Sequence, residues 1–176
     1  MLAGLQLRDE GARALAAALA ALPEPAPLSS IVVRENELTE PGCLALAWGL
    51  GEKVFRALTV LDMSLNPEIG DAGVVALVSG GEGLPQTLAE LGLEATGCGN
   101  GGMVGLAARL PSLGRFSQLT TVPAALRCGH NPEVTEPGWT ALGAVLPMLL
   151  GLAELDLCDC YGMGDGGASL VAQRAD

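Results

Sequence analysis

Apolar residues recur along this chain in two alternating rhythms. In Leu58 to Leu77, LTVLDMSLNPEIGDAGVVAL, they first stand at Leu58, Leu61 and Met63, spaced by three and then two. Side chains alternate across a strand, so this rhythm predicts a short strand with one side packed inward. Asn66 follows as a polar turn position, then Ile69, and Asp71 and Gly73 open an apolar helix through Leu77. Strand, turn and helix together make one structural unit.

The unit recurs. Upstream, Leu28, Ile31, Val33, Asn36, Leu38, Gly42, Leu46 and Leu50 occupy the same frame. Downstream, Leu88, Leu91, Leu93, Thr96, Gly102, Leu106 and Leu110 repeat it, with Thr in the Asn position. A further copy runs through Leu126, Cys128, Asn131, Val134, Gly138, Leu142 and Leu146, with Pro123 in place of the first leucine. Another takes Leu152, Leu155, Leu157, Cys160, Met163, Gly167 and Val171, and Leu7, Asp9, Gly11, Leu15 and Leu19 fit only the turn and helix. The glycines at 11, 42, 73, 102, 138 and 167 are spaced by 31, 31, 29, 36 and 29 residues. Asp71, Thr39 and Thr135 stand where an N-cap side chain would accept bonds from its own helix, and TEPG occurs at both Thr39–Gly42 and Thr135–Gly138.

This frame resembles the leucine-rich repeat, in particular the long repeats of the ribonuclease-inhibitor type, whose pattern runs roughly LxxLxLxxNxL…GxxxLxxxL. The resemblance covers nearly the whole chain. It implies an α/β fold: a right-handed βα solenoid, or horseshoe, with a parallel sheet on the concave side and helices on the convex side. One domain over 1–176 is expected, with a half repeat at 1–22 and repeats at about 28–57, 58–87, 88–118, 123–151 and 152–176. In that family the Asn position bonds neighbouring turns, a role that falls here to Asn36, Asn66, Asn131 and Cys160, with Thr96 as the departure. Stacked units bury one continuous core.

Between the units, Pro23–Pro27 stops the first helix, Gly51–Ala57 returns the chain to the sheet, and Gly80–Gln86 is a loop by composition. Residues 111–122 are an irregular insert behind the 36-residue spacing, read as a longer surface connection on which Arg109 and Arg115, with Phe116 beside them, make a local basic spot. Trp48 and Trp139 fall on helices, where buried packing is the default and an exposed Trp would mark a second interface. Neither end carries a polar capping unit. The ends are therefore expected to be covered by a partner chain or self-association, or to continue into a longer array.

Composition narrows the function class. Hydrophobic residues make up 49% of the chain but aromatics only 3%, which suits thin layers of Leu, Ala and Val. The net charge is −11 and Lys53 is the single lysine, so nucleic acid and anionic membranes are poor partners and basic proteins better ones. Five cysteines without a disulfide-framework spacing favour a reducing compartment, and a cytoplasmic location is expected. Asp9 and Glu10 stand where a secretory leader would be basic, and the uncharged run from Pro137 to Ala153 is short for a membrane span and contains Pro147.

Three patterns carry potential chemistry. GCGNGG, Gly97–Gly102, fits a dinucleotide-binding G-x-G-x-x-G between strand and helix, but no acid follows about twenty residues on, and no cofactor is expected. Cys128 and His130 precede Cys158 and Cys160 by one repeat, yet only His130 and Cys158 would face outward. That is too few ligands for a closed zinc site, so neither a metal nor a catalytic residue is expected. The third pattern lies on the strands. The face opposite the core carries Arg34, Glu35, Asp62, Ser64, Glu90, Glu94, Arg127, His130, Glu154, Asp156 and Asp159, and includes seven carboxylates against two arginines. Aligned like charges repel unless a cation meets them. The resemblance makes this the partner-binding face, so a non-enzymatic scaffold for a basic protein is the leading expectation. The alternatives are a GTPase activator similar to the Ran activators, with Arg34 as its arginine, and a structural subunit of a larger assembly.

Overall fold

The computed structural model describes residues 2–21, 28–49, 57–79, 84–165 and 168. The expected breaks at Pro23–Pro27 and most of Gly51–Ala57, together with Gly167 and Val171, lie outside the described residues. Among the described residues there are five strands: β1 (Ser30–Val32), β2 (Val60–Asp62), β3 (Glu90–Gly92), β4 (Ala124–Arg127) and β5 (Leu152–Asp156). They form one parallel sheet in the order β1-β2-β3-β4-β5, so each strand pairs with its neighbours in sequence. Ile31, Leu61, Leu91, Leu126 and Leu155 lie in one register row. The register shifts between Ala124 and Ala125 where β4 pairs with β5.

Among the described residues, five helices of ten or more residues alternate with these strands: α1 (Arg8–Ala20), α2 (Glu40–Gly49), α3 (Gly70–Ser79), α4 (Asn100–Arg109) and α6 (Glu136–Val145). A single-turn helix, α5 (Gly114–Ser117), follows α4 after a 3-10 turn at Leu110–Ser112. Each long helix packs against the next long helix, α1 on α2 through to α4 on α6. Between sheet and helices lies one continuous core of Leu38, Leu46, Leu58, Leu61, Met63, Leu88, Leu91, Leu93, Met103, Leu106 and Leu142, all essentially inaccessible. No helix among the described residues is long and apolar enough to cross a membrane.

The turns after the strands are stitched together by amide side chains. Asn66 Oδ1 accepts the Asn36 and Leu38 N–H groups at 2.8 and 3.1 Å, while Nδ2 donates to the Val33, Met63 and Ser64 carbonyls. Asn131 does the same for the Thr96 and Cys98 N–H groups and the Leu93, Cys128 and Gly129 carbonyls. Asn36 receives Leu5 and Leu7 N–H groups, which ties the half repeat to β1. Backbone bonds from Leu2 to Val32 and Gly4 to Arg34 continue the sheet ladder across that junction. Thr96 is shorter. Its hydroxyl bonds the Leu93 carbonyl at 3.0 Å and Asn131 at 3.3 Å, and the preceding turn is reached through the Thr96 carbonyl, which accepts the Gly70 N–H at 2.9 Å.

Helix starts differ from expectation. Thr135 makes no side-chain cap to its own helix, and Asp71 lies inside α3. The caps come from the preceding repeat. Asp9 on α1 accepts from the Thr39 backbone and hydroxyl, and Asn100 on α4 accepts from the Thr135 and Gly138 N–H groups before and within α6. Stacking sets the neighbour's first-turn Asp or Asn oxygen beside these donors, so the bond crosses between layers instead of closing within one helix.

Two further expectations change. Residues 111–122 are more than a surface connection: Leu110, Leu113 and Phe116 are fully buried, and the Phe116 carbonyl accepts the Gly151 N–H at 2.9 Å. The longer spacing there admits two helical turns whose apolar residues plug the core. Trp139 is fully buried with its indole N–H on the Val134 carbonyl, but Trp48 is 67% exposed. In α2 the buried helical stripe is taken by Cys43, Leu46 and Ala47, which turns position 48 to solvent.

Asn66→Ala removes partners from two N–H and three carbonyl groups at a buried turn, and the expected loss is about 3–5 kcal/mol. Thr96→Val removes the one hydroxyl proton shared between the Leu93 carbonyl and Asn131 Oδ1 and is expected to cost about 1 kcal/mol. Urea unfolding at constant m-value should rank the two in that order; equal losses would contradict the ladder account.

Candidate functional site

Side chains opposite the core form an open strand face, and two arginines organise it. Arg34, just after β1, donates from Nη1 to Asp62 Oδ2 at 3.0 Å and to Glu94 Oε2 at 3.1 Å. Glu94 lies two repeats away, and Gly92 leaves the path clear. A Cβ at position 92 would stand 2.5 Å from Asp62 Oδ1 and 3.0 Å from Ser64 Oγ. Asp62 Oδ1 also accepts the Ser64 N–H, and Ser64 Oγ accepts the Glu94 N–H. Asp62 and Ser64 are themselves buried, so they hold the network from beneath. The hydrogen bond to Asp62 raises the Arg34 pKa further.

Arg127 performs the same task on the other side of β3. It bonds Glu90 through Nη1 and Glu154 through Nε, the latter at 3.1 Å. Four of the seven carboxylates in the row are therefore met by the two arginines on the same face. The repulsion expected between strands is relieved internally. Partly exposed pairs of this kind contribute about 0.2–1 kcal/mol each, so their larger effect is to fix side-chain positions.

The remaining predicted residues lie at the margin. Glu35, His130 and Asp159 occupy the turns, each in a left-handed conformation with φ of 54–56°. Gly4, Leu65 and Ala95 hold the equivalent turn position, also at positive φ, one residue before each ladder position. His130 Nδ1 lies 3.0 Å from Asp159 Oδ2, and both side chains are about half exposed. Asp156 Oδ1 accepts the Cys158 N–H at 2.9 Å, and bonds from the Cys158 thiol and backbone hold its carboxyl below the usual range. The structure thus brings together Arg34, Asp62, Ser64 and Glu94 as one group and Glu90, Arg127 and Glu154 as another.

GCGNGG performs a structural task. Asp71 Oδ1 accepts the Gly99 and Gly102 N–H groups, the latter at 2.8 Å, and Oδ2 accepts the Gly101 N–H at 3.0 Å. The anion held at this helix N-terminus is thus a carboxylate of the preceding repeat, at the place where a phosphate would sit. A Cβ at position 101 would come within 2.7 Å of that carboxylate, which is why glycine stands there. Sequence reading missed this use of Asp9, Asp71 and Asn100. The available signal was their shared slot, two residues before Gly11, Gly73 and Gly102.

The cysteines are free thiols, with Cys43, Cys98 and Cys128 buried and Cys158 exposed. Burial raises Cys43 and Cys98 to about 12, and Cys160 likewise to about 12. The hydrogen bond to Asp156 raises Cys158. All of these shifts disfavour the thiolate, which is the reactive and metal-binding form. No group of three or more His, Cys, Asp and Glu side chains suited to a metal lies together among the described residues.

Maleimide at pH 7.5 should modify only Cys158 in the folded protein, slowly, and all five cysteines in denaturant. Asp156→Asn should accelerate the Cys158 reaction by removing the neighbouring negative charge; an unchanged rate would contradict the assigned contact. For the buried thiols the folded pKa lies above the unfolded value of about 8.5. Their contribution to stability is complete below that pH and is lost as pH rises toward about 12. Chemical unfolding between pH 7 and 10 should reveal falling stability above about 8.5, less steep in Cys43→Ala.

No curated protein sequence matches the chain. Residues 56–78, which span β2 and nearly all of α3, match the family model described as Leucine Rich repeat, and this supports a leucine-rich repeat protein.

Proposed function

We propose that this chain is a non-enzymatic protein-binding module whose open strand face receives a basic protein partner. Leucine-rich repeats generally mediate protein–protein interaction, and the matched unit supplies the second strand of the sheet. The observation that carries the reading is the pair of arginine-centred networks across β1 to β5. They hold the face in one arrangement before any partner arrives, which lowers the ordering cost of binding. Charge supports the sign of the partner. Glu35, Asp156 and Asp159 remain at the margin beyond the two arginine networks, on a chain of net charge −11. We further read the solenoid as the right-handed, horseshoe-shaped ribonuclease-inhibitor type, and its free thiols as suited to a reducing, cytoplasmic setting.

The test reverses one carboxylate of the Arg127 network, Glu154, and one marginal carboxylate, Asp156, and leaves the buried Arg34–Asp62–Glu94 network intact. Wild type and a Glu154→Lys/Asp156→Lys variant, both checked for folding by circular dichroism, are used to capture partners from native extract. A basic protein should bind the wild type, weaken as salt rises, and bind the variant at least tenfold less. A Glu133→Lys/Glu136→Lys control, altered away from the open face, should retain it. Capture indifferent to both salt and the face variant would overturn the reading.

A further inference from the structure

A second surface adjoins the open face at its first turns. Gly4, Gln6, Glu35, Glu37, Leu65, Pro67 and Glu68 line a groove of about 290 Å³ between the turns of the half repeat and the next two repeats. Its lining is mixed in a specific way. Leu65 and Pro67 give it an apolar wall, and Leu65 is 43% exposed. Carboxylates stand around that wall, but they are not equivalent. Glu37 already holds Arg8, through Nε at 2.8 Å, whereas Glu35 and Glu68 have no ion-pair partner among the described residues. Gly4, at φ 66°, keeps this side open: a Cβ there would lie 3.7 Å from Glu35 Oε2.

The volume suits one or two side chains, since whole small-molecule sites begin at about 300 Å³. An arginine matches the lining part by part. Its methylenes cover apolar surface while its guanidinium reaches carboxylates, which it meets with paired, charge-assisted bonds. We infer that this groove is the anchor site for an arginine side chain of a protein partner, with its stem on Leu65 and Pro67 and its guanidinium between Glu35 and Glu68. The inference rests on the reading of this chain as a module for a basic protein and places one contact of that partner on the turn edge.

Leu65 supports the assignment independently of charge. It holds φ 60°, a conformation that a leucine adopts at a cost and that Asn or Gly adopts readily. The same turn position is left-handed in the other repeats too, but there it carries Gly, Ala or a polar side chain, whereas Leu65 sets a large apolar one, 43% exposed, against the groove. Leu65 therefore trades local backbone comfort for an exposed apolar surface at the groove.

The experiment uses the full chain. A random twelve-residue peptide library is selected on the immobilised protein, and enriched peptides are titrated individually by fluorescence anisotropy. Enriched sequences should contain arginine, and replacing that arginine by glutamine should weaken binding at least tenfold. Leu65→Asn should weaken binding tenfold or more while raising the thermal midpoint, because Asn relieves the left-handed strain. Glu35→Gln/Glu68→Gln should weaken it similarly. Glu133→Gln, in the Asn-Pro-Glu turn of a later repeat, should not change it. No enrichment, or binding indifferent to Leu65 and Glu68, overturns the groove. Binding that instead falls with Glu154→Gln/Asp156→Asn overturns the groove while leaving the open-face reading intact. If the groove variants behave as expected but capture from extract shows no basic partner, the wider reading fails on its own.

Discussion

Every turn of a stacked βα chain leaves backbone N–H and C=O groups that neither strand nor helix can satisfy. Buried without partners, such groups would cost about 1–3 kcal/mol each. In this protein the cost is met by Asn36, Asn66 and Asn131, whose amides both accept and donate and so serve two layers at once. A side chain with both functions at that reach joins one turn to the next beside the backbone bonds that run between them. The strands need be no longer than three to five residues because the ladder continues through these turns. Regular layers then fix which side chains lie next to one another on the sheet.

That register produces the chemistry of the open face. Across the strands no carboxylate pairs directly with another: Asp62 stands beside Val32 and Gly92, Glu90 beside Val60 and Ala125, and Asp156 beside Arg127, and the same spacing lets Arg34 reach Asp62 and Glu94. Gly92 is as necessary to this arrangement as the charges, because any side chain there would collide with the Asp62 carboxylate and the Ser64 hydroxyl. Helix starts follow the same logic. Asp9, Asp71 and Asn100 satisfy the first N–H groups of the following layer, so the helix surface and the turns are both held by bonds between repeats. Cohesion in this fold is lateral. The local unit contributes shape, and its neighbour contributes most of the polar satisfaction.

The turn position before each ladder residue links folding to interaction. All six such residues hold a left-handed backbone, yet only Gly4 is glycine. Glu35, Leu65, His130 and Asp159 are thereby pushed to the rim of the strand face, where they are exposed. The strained geometry that lets the following Asn turn inward also presents the preceding side chain outward. This coupling explains why a rim of varied chemistry, including the groove beside Leu65, surrounds a face whose centre is locked by ion pairs.

The periodicity by itself determined the units. Leu58, Leu61, Met63, Asn66 and Gly73 and their counterparts located strands, turns and helices, because burial on one side of each element demands that spacing. It also identified the Asn positions and the weaker link at Thr96. Tertiary structure decided everything that depends on which layer meets which. Asp71 reads as the cap of its own helix until stacking places it on Gly99, Gly101 and Gly102. The insert at 111–122 reads as surface until Phe116 is seen to fill the core, and Trp48 reads as buried until α2 turns it outward. The acidic row reads as unpaired because Arg34 and Glu94 are 60 residues apart in the chain. Sequence spacing encodes what lies on one side of an element, whereas pairing across layers depends on register, reach and the space left by a glycine.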